Sequence, residues 1–167
     1  MTLCDVKSVT LLKIDSPNLQ FLNVRVGRWS FSLNDTPTLV GMKLTGFRGV
    51  RGEVDLLRSM LSTSTLQELE ISFGQQSKMV KLNDDDWNCT SNLLRVLKIT
   101  GFSGESENER NFIRFLLSRT PVLERMTLQP SSTLVSWELP QMLEGYRHVK
   151  KNFIDPSTSS PFFHLES

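Results

Sequence analysis

One pattern of apolar positions recurs along the chain: a leucine, two variable residues, a second large apolar residue, one variable residue and a third apolar residue. The copies occupy residues 16–24, 36–44, 63–71, 91–99 and 120–128. In each copy the last two apolar residues alternate with other residues, which is the pattern of a β-strand with one buried face. The interval between successive leading leucines falls within the period of roughly 20–29 residues that is typical of a leucine-rich repeat. Those leucines are Leu19, Leu39, Leu66, Leu94 and Leu123.

A second, longer repeat extends two of these copies. Leu44-Thr-Gly-Phe-Arg-Gly49 and Ile99-Thr-Gly-Phe-Ser-Gly104 are nearly identical, and their glycines suit a sharp turn that needs positive φ. Amphipathic runs follow over residues 53–61 and 107–117, with apolar residues at helical spacing. Each large unit is therefore predicted to form a strand, a tight turn, a helix and a short return. A capping box of Ser106 and Glu109 is expected to begin the second helix.

Stacking of such units predicts an α/β fold, a leucine-rich-repeat solenoid. Its strands would form a parallel sheet on the concave face and its helices would cover the convex face. The segment 137–149 is predicted to form a helical cap over the C-terminal end, and the Pro- and Ser-rich residues 157–167 are predicted to form a disordered tail.

Composition narrows the range of partners and compartments. The chain has 25 Leu and no Ala in 167 residues, and 19 basic against 18 acidic side chains give a net charge of +1. Such balance argues against a nucleic-acid partner, which requires clustered basic residues. The apolar runs are far shorter than the roughly 20 residues of a membrane span, and the N-terminus lacks a signal-peptide pattern. We therefore expect a cytoplasmic or nuclear protein with Cys4 and Cys89 as reduced thiols.

The second half of the chain resembles a known family. Residues 94–104, 112–118 and 121–128 are similar to the FBD region of plant F-box/LRR proteins, and residues 137–156 resemble its closing segment. The resemblance divides the chain into irregular leucine-rich repeats over 1–65, an FBD-like region of the same solenoid over 66–156, and the tail.

The resemblance implies a non-enzymatic protein-interaction module, the substrate-recognition part of an F-box (SCF-type) ubiquitin ligase adaptor. In that family the F-box, a small helical module, docks on a Skp1-type adaptor, while the repeats hold a target protein. No stretch of this sequence resembles an F-box, so a Skp1-type partner is expected only for a form that carries one. Two interpretations stay open: a fragment of a longer protein, or a truncated decoy that binds its target without recruiting the ligase.

Catalytic and cofactor chemistry finds little support in the sequence. Two His and two distant Cys are too few for a zinc site, and the run Asp84–Asp86 lacks the alternation of a calcium loop, so neither a metal nor a cofactor is expected. The acidic residues Glu105, Glu107 and Glu109 suit the start of a helix. A small hydrolase with His148 as its base is the remaining enzymatic alternative.

The candidate partner-contacting surface is the concave face, to which the residues between the inward apolar positions should point. Its members are Arg25, Lys43, Glu70, Ser72, Lys98, Thr100, Thr127 and Gln129. Their mixed charge favours a polar protein surface or a small polar ligand over a phosphate backbone. The alternative, that each is merely a solvated strand residue, stays open.

Overall fold

The structure is a computed structural model that describes residues 2–3, 11–26, 30–34, 36–62, 65–74, 79–81, 90–104, 106–131, 143–146 and 148–154. Within these residues it contains nine strands and two helices. In chain order they are β1 (Thr2–Leu3), β2 (Leu11–Asp15), β3 (Phe21–Arg25), β4 (Ser30–Asn34), β5 (Gly41–Phe47), α1 (Arg51–Ser62), β6 (Glu68–Phe73), β7 (Val96–Phe102), α2 (Glu107–Ser118), β8 (Arg125–Pro130) and β9 (Lys150–Phe153).

The predicted parallel sheet is confirmed. Seven strands, among which β1 has only two residues, lie in the order β1-β3-β5-β6-β7-β8-β9, and every neighbouring pair is parallel. The pairing aligns equivalent positions of the recurring phrase, so that the last two apolar residues of each copy form two continuous buried rows. Those rows are Leu22, Met42, Leu69, Leu97 and Met126, and Val24, Leu44, Ile71, Ile99 and Leu128.

Both predicted helices are also present, and together with the sheet they make the fold a mixed α/β one. Helix α1 buries Val54, Leu57, Met60 and Leu61, and α2 buries the corresponding apolar stripe of its own. These side chains belong to the same core cluster as the inward rows of the sheet. The two helices thus cover apolar strand residues that would otherwise face water.

The N-terminal part departs from the prediction that helices form the whole second layer. There, β2 and β4 make a separate two-stranded parallel sheet, and β4 contacts α1. The connection from β3 to β5 spans residues 26–40, whereas the connection from β5 to β6 spans residues 48–67 and holds the 12-residue α1. The shorter connection therefore accommodates a five-residue strand in place of a helix.

The predicted C-terminal helical cap is wrong where the structure describes it. Residues 143–146 and 148–149 form turns and bends, and β9 then extends the sheet by one more parallel strand. The backbone N–H of Lys150 donates to the carbonyl of Glu124 over 2.9 Å, and that of Ile154 donates to Leu128 over 3.0 Å. Residues 132–142 and the predicted tail over 157–167 lie outside the described residues.

The two copies of the Gly-Phe-x-Gly turn have the backbone conformation predicted for them. Gly46, Gly49, Gly101 and Gly104 have φ between 70° and 74°, a region that side chains with a Cβ rarely adopt. At Gly101 a Cβ would also lie 3.1 Å from the carbonyl oxygen of Phe73 on the neighbouring strand. The turn is therefore restricted to glycine at this position by both conformation and space.

A buried glutamate ties each turn to the helix that follows it. Glu53, the third residue of α1, accepts hydrogen bonds at Oε2 from the backbone N–H groups of Arg48 (2.7 Å) and Gly49 (2.9 Å). Both Glu53 and its counterpart Glu109 are at most 5% exposed. These two hydrogen bonds replace the water that both the carboxylate and the backbone N–H groups lose on burial.

Glu109 makes the equivalent contacts in α2. Its Oε2 accepts from the backbone N–H groups of Ser103 (2.9 Å) and Gly104 (3.0 Å), and from Ser103 Oγ (2.7 Å). The expected capping box is wrong, because Ser106 at the N-cap makes no side-chain capping bond. The carboxylate reaches back to the turn instead, since the glycine turn presents two N–H groups within its range.

The aromatic residues near these turns form core contacts. The ring centroids of Phe47 and Phe112 lie 5.5 Å apart in a stacked arrangement, and Phe73 meets both rings edge-on. Phe102 is likewise completely buried. The cluster joins the two turn-and-helix units through side chains from β5, β6 and α2.

We expect Gly101→Ala to lower the free energy of unfolding by about 1–2 kcal/mol, because it forces a Cβ into positive φ beside the Phe73 carbonyl. Gly52→Ala is the matched control. It lies in α1, where a Cβ would meet no atom within 4 Å, and should leave stability unchanged or raise it by up to about 1 kcal/mol. Urea unfolding followed by circular dichroism measures both. Equal losses for the two variants would contradict the special role of the turn.

We also expect Glu109→Ala to destabilise the protein by about 1–3 kcal/mol for each N–H left without an acceptor. Glu107→Ala, an exposed residue of the same first turn, removes only a favourable interaction with the helix dipole and should cost no more than about 1 kcal/mol. The same unfolding measurement compares them. A cost for Glu109→Ala no greater than that for Glu107→Ala would show that the buried carboxylate is not needed.

Candidate functional site

The strand residues that point away from the core form three rows across the sheet, which together we call the polar sheet face. The first row contains Phe21, Gly41, Glu68, Val96, Arg125 and Lys150; the middle row contains Asn23, Lys43, Glu70, Lys98, Thr127 and Asn152; the last row contains Arg25, Thr45, Ser72, Thr100 and Gln129. All eight residues predicted from the sequence lie in the middle and last rows. In-register pairing brings them together although they come from five different strands.

An ion-paired triad occupies the centre of this face. Glu70 lies on β6 between Lys43 on β5 and Lys98 on β7, its direct cross-strand neighbours. Its Oε1 is 3.0 Å from Lys43 Nζ and 3.5 Å from Lys98 Nζ. Two ammonium groups therefore share one carboxylate oxygen.

Glu70 is buried although it lies on the face that points away from the core. Its side chain is 4% exposed, whereas Lys43 and Lys98 are 28% and 26% exposed. Glu70 Oε2 is also inaccessible and has no hydrogen-bond donor among the described residues. An ionised oxygen in such a place costs stability, because burial removes its hydration without full replacement.

Neutral hydrogen-bonding side chains surround the triad. Ser72, Thr100, Thr127 and Gln129 are partly exposed on the strands β6, β7 and β8, and Arg25 is exposed on β3. Thr45 Oγ1 uses its proton in a 3.3 Å bond to the Val24 carbonyl of the adjacent strand. The middle and last rows thus offer hydroxyl and amide groups around a charged centre.

The first row is apolar at its β3 end. The Phe21 ring lies across Gly41 on the neighbouring strand, and a Cβ at Gly41 would come within 2.5 Å of that ring. Phe21 is still 44% exposed. This corner of the polar sheet face therefore presents an apolar surface, which the sequence reasoning did not single out.

The sequence pattern places Lys43, Glu70 and Lys98 on the concave face one by one and does not predict that they form a single ion-paired triad around a buried carboxylate. A signal for it exists, because the three residues occupy the same position in three consecutive copies of the phrase. In-register parallel pairing places such positions side by side. The burial of Glu70, in contrast, is not visible in any local pattern.

The structure describes only some of the residues that were considered for catalysis and metal binding. His148 is exposed in a turn, and no hydrogen bond joins it to another described residue. The described part of the chain contains no cluster of three or more His, Cys, Asp or Glu side chains that could hold a metal ion. Among the helices described, none has the length and apolar content of a membrane span. The run Asp84–Asp86 lies outside the described residues.

Comparison with known families supports the resemblance in the second half of the chain. The sequence model of the FBD family matches residues 87–128, which is about a quarter of the chain. This stretch includes β7, α2 and β8 up to Leu128. No curated protein and no solved structure matches the chain. The match supports a relationship to the F-box/FBD family and fits a role in protein interaction.

The triad makes a prediction about additivity. Lys98→Met and Lys43→Met should each cost less than about 1 kcal/mol of stability, since the remaining lysine still pairs with Glu70. The double variant should cost more than the sum, about 3 kcal/mol, because it leaves a buried carboxylate unpaired. Urea unfolding of the two single variants and the double variant measures the difference.

The triple variant that also carries Glu70→Met provides the control. It replaces the whole triad by apolar side chains and should recover the stability lost in the double variant. The shared pairing would be contradicted if the losses of stability in the single variants simply added up in the double variant. It would also be contradicted if the triple variant were less stable than the double variant.

Proposed function

We propose that this chain is a non-enzymatic protein-binding module, the substrate-recognition part of an F-box-type ubiquitin ligase adaptor. The observation that carries the proposal is the FBD match over residues 87–128, which covers β7 and most of β8 and includes Lys98, Thr100 and Thr127 of the polar sheet face. The polar sheet face supplies the surface for the target.

We further propose that the chain is a leucine-rich-repeat solenoid related to plant F-box/LRR proteins. Support comes from the in-register stacking of successive copies of the phrase and from the regular spacing of their leading leucines. In such an arrangement residues 1–65 are irregular repeats, residues 66–156 are the FBD-like continuation, and the polar sheet face is the concave wall. The same family relationship favours a cytoplasmic or nuclear location.

The free-energy cost of burying Glu70 in the polar sheet face supports a binding role. Glu70 keeps a buried oxygen without a donor among the described residues. Proteins in which apolar residues replace such a buried triad are commonly as stable as the original or more stable. Natural proteins often tolerate such a cost at positions that function requires. A surface that served folding alone would gain from simpler side chains at this point.

A decoy is the second candidate within the same interaction class. It would use the same FBD-like region and the same polar sheet face to hold a target. A decoy would occupy the target and protect it from a complete adaptor. A recruiting form would require a Skp1-type adaptor bound through an F-box.

Site-specific cross-linking tests the binding surface. We expect a photo-reactive amino acid at Ser72 or Thr127, on the polar sheet face, to cross-link one discrete protein in extracts of the source organism. The same group at Ser59, exposed on α1, is the control and should not cross-link that protein. Capture through Ser59 but not through Ser72 or Thr127 would exclude the polar sheet face as the target site.

The lifetime of the captured protein then separates the two candidates. Overexpression of this chain alone should lengthen the half-life of the target if the chain is a decoy, and shorten it if the chain recruits a ligase. Binding to purified Skp1-type adaptor provides the matching measurement. Tight binding by this chain would contradict the expectation that adaptor docking needs a separate F-box.

A further inference from the structure

The charge that a partner meets at the centre of the polar sheet face differs from the charge of the residues that lie there. Glu70 is nearly inaccessible, whereas the two lysines that pair with it are about one quarter exposed. A molecule that approaches the middle row therefore contacts two ammonium groups and almost no carboxylate. An ammonium group carries three N–H donors, and the exposed quarter of each lysine side chain is the part that a partner can reach.

The formal charge of the whole polar sheet face is also positive. Across its three rows it contains five basic residues, Arg25, Lys43, Lys98, Arg125 and Lys150, and two acidic residues, Glu68 and Glu70. Its formal charge is therefore +3, although the whole chain carries only +1 and the residues elsewhere must sum to −2. Positive charge is thus concentrated on the face that carries the candidate site.

We propose that the polar sheet face binds an acidic polypeptide segment, with one Asp or Glu carboxylate of that segment seated between Lys43 and Lys98. The proposal rests on the proposed function and specifies the chemistry of the partner. Hydroxyl and amide groups of Asn23, Thr127 and Ser72 would contact polar groups of the same segment.

The local charge favours a carboxylate over a nucleic-acid backbone. The triad carries a net charge of +1, so a single carboxylate brings it to zero when the contact loses its water. A nucleic acid presents closely spaced phosphates that require several clustered cations without an acidic residue among them. The negative charges of Glu70 and Glu68 repel such a row of phosphates. A single carboxylate is still attracted, because the two lysines outweigh the one charge of Glu70.

Glu70 acts in this proposal as a positioning residue. Two lysine side chains on strands that flank β6 would otherwise sample many rotamers and repel each other. Pairing with one buried oxygen holds both ammonium groups over the same point of the sheet. A carboxylate that approaches this point then encounters donors whose orientation is already set, which reduces the entropic cost of binding.

The experiment selects peptides from a random peptide display library on the purified chain and measures the affinity of the synthetic peptides by fluorescence anisotropy. We expect the selected peptides to be enriched in Asp and Glu. Replacement of those residues by Asn and Gln should weaken binding about tenfold or more, as should the double variant Lys43→Gln/Lys98→Gln. Affinity should also fall as salt rises from about 0.05 to 0.5 M.

The matched control removes the same charge elsewhere. Lys81→Gln/Arg114→Gln changes two exposed residues outside the polar sheet face and should leave peptide affinity within about twofold. Lys43→Arg/Lys98→Arg keeps both charges and should retain binding, which separates a loss of recognition from a loss of folding. Glu70→Gln raises the net charge of the triad from +1 to +2 but removes the oxygen that orients both lysines. Weaker binding with persistent enrichment for acidic peptides would support the positioning role of Glu70, and tighter binding would contradict it.

The outcomes distinguish this inference from the proposed function. Peptides that bind in a manner dependent on Ser72 and Thr127, but without acidic enrichment, would overturn the inference and leave the proposed function standing. A single-stranded oligonucleotide that binds more tightly than the acidic peptides, through the same two lysines, would overturn the choice of partner. A failure to select any peptide, or affinities that no substitution on the polar sheet face changes, would count against both.

Discussion

In-register pairing of parallel strands is the constraint on which the rest of the structure depends. Because each strand pairs with the next at equivalent positions of a recurring phrase, every position of the phrase becomes a row across the sheet. The apolar positions become the two buried rows that the helices cover. The positions between them become the polar sheet face. A shift of one residue would exchange the two sets, so core formation also determines which side chains a partner can meet.

The length of the connections between strands and the residues of their turns then decide whether a helix or a strand packs behind the sheet. The connections from β5 to β6 and from β7 to β8 begin with a glycine turn whose N–H groups donate to Glu53 or Glu109, and this contact sets where each helix starts relative to its strand. The shorter connection after β3 lacks the Gly-Phe-x-Gly sequence, and its strand β4 contacts α1. The same core is therefore covered by two kinds of element, chosen by the number of residues available.

The triad at the centre of the polar sheet face stands apart from these structural contacts. Glu53 and Glu109 are buried carboxylates whose contacts explain their burial, because each accepts backbone N–H groups that need an acceptor. Glu70 shares one oxygen between two lysines and leaves the other without a donor among the described residues. Buried charge with incomplete hydrogen bonding contributes little to stability, and this property of Glu70 is one support for the proposed role of the face in recognition.

The sequence by itself determined the strands of the repeated phrase, the two helices, the glycine turns and most residues in the middle and last rows of the polar sheet face. These follow from local periodicity and from residues such as Gly46 and Gly101, whose conformation few others adopt. The tertiary structure alone decided the burial of Glu70, the contacts of Glu109 with its turn, the strand β4 between β3 and β5 and the strand β9 that extends the sheet. Each of these depends on which groups meet across strands or on the space a connection has to fill, and neither quantity is present in the pattern of any single segment.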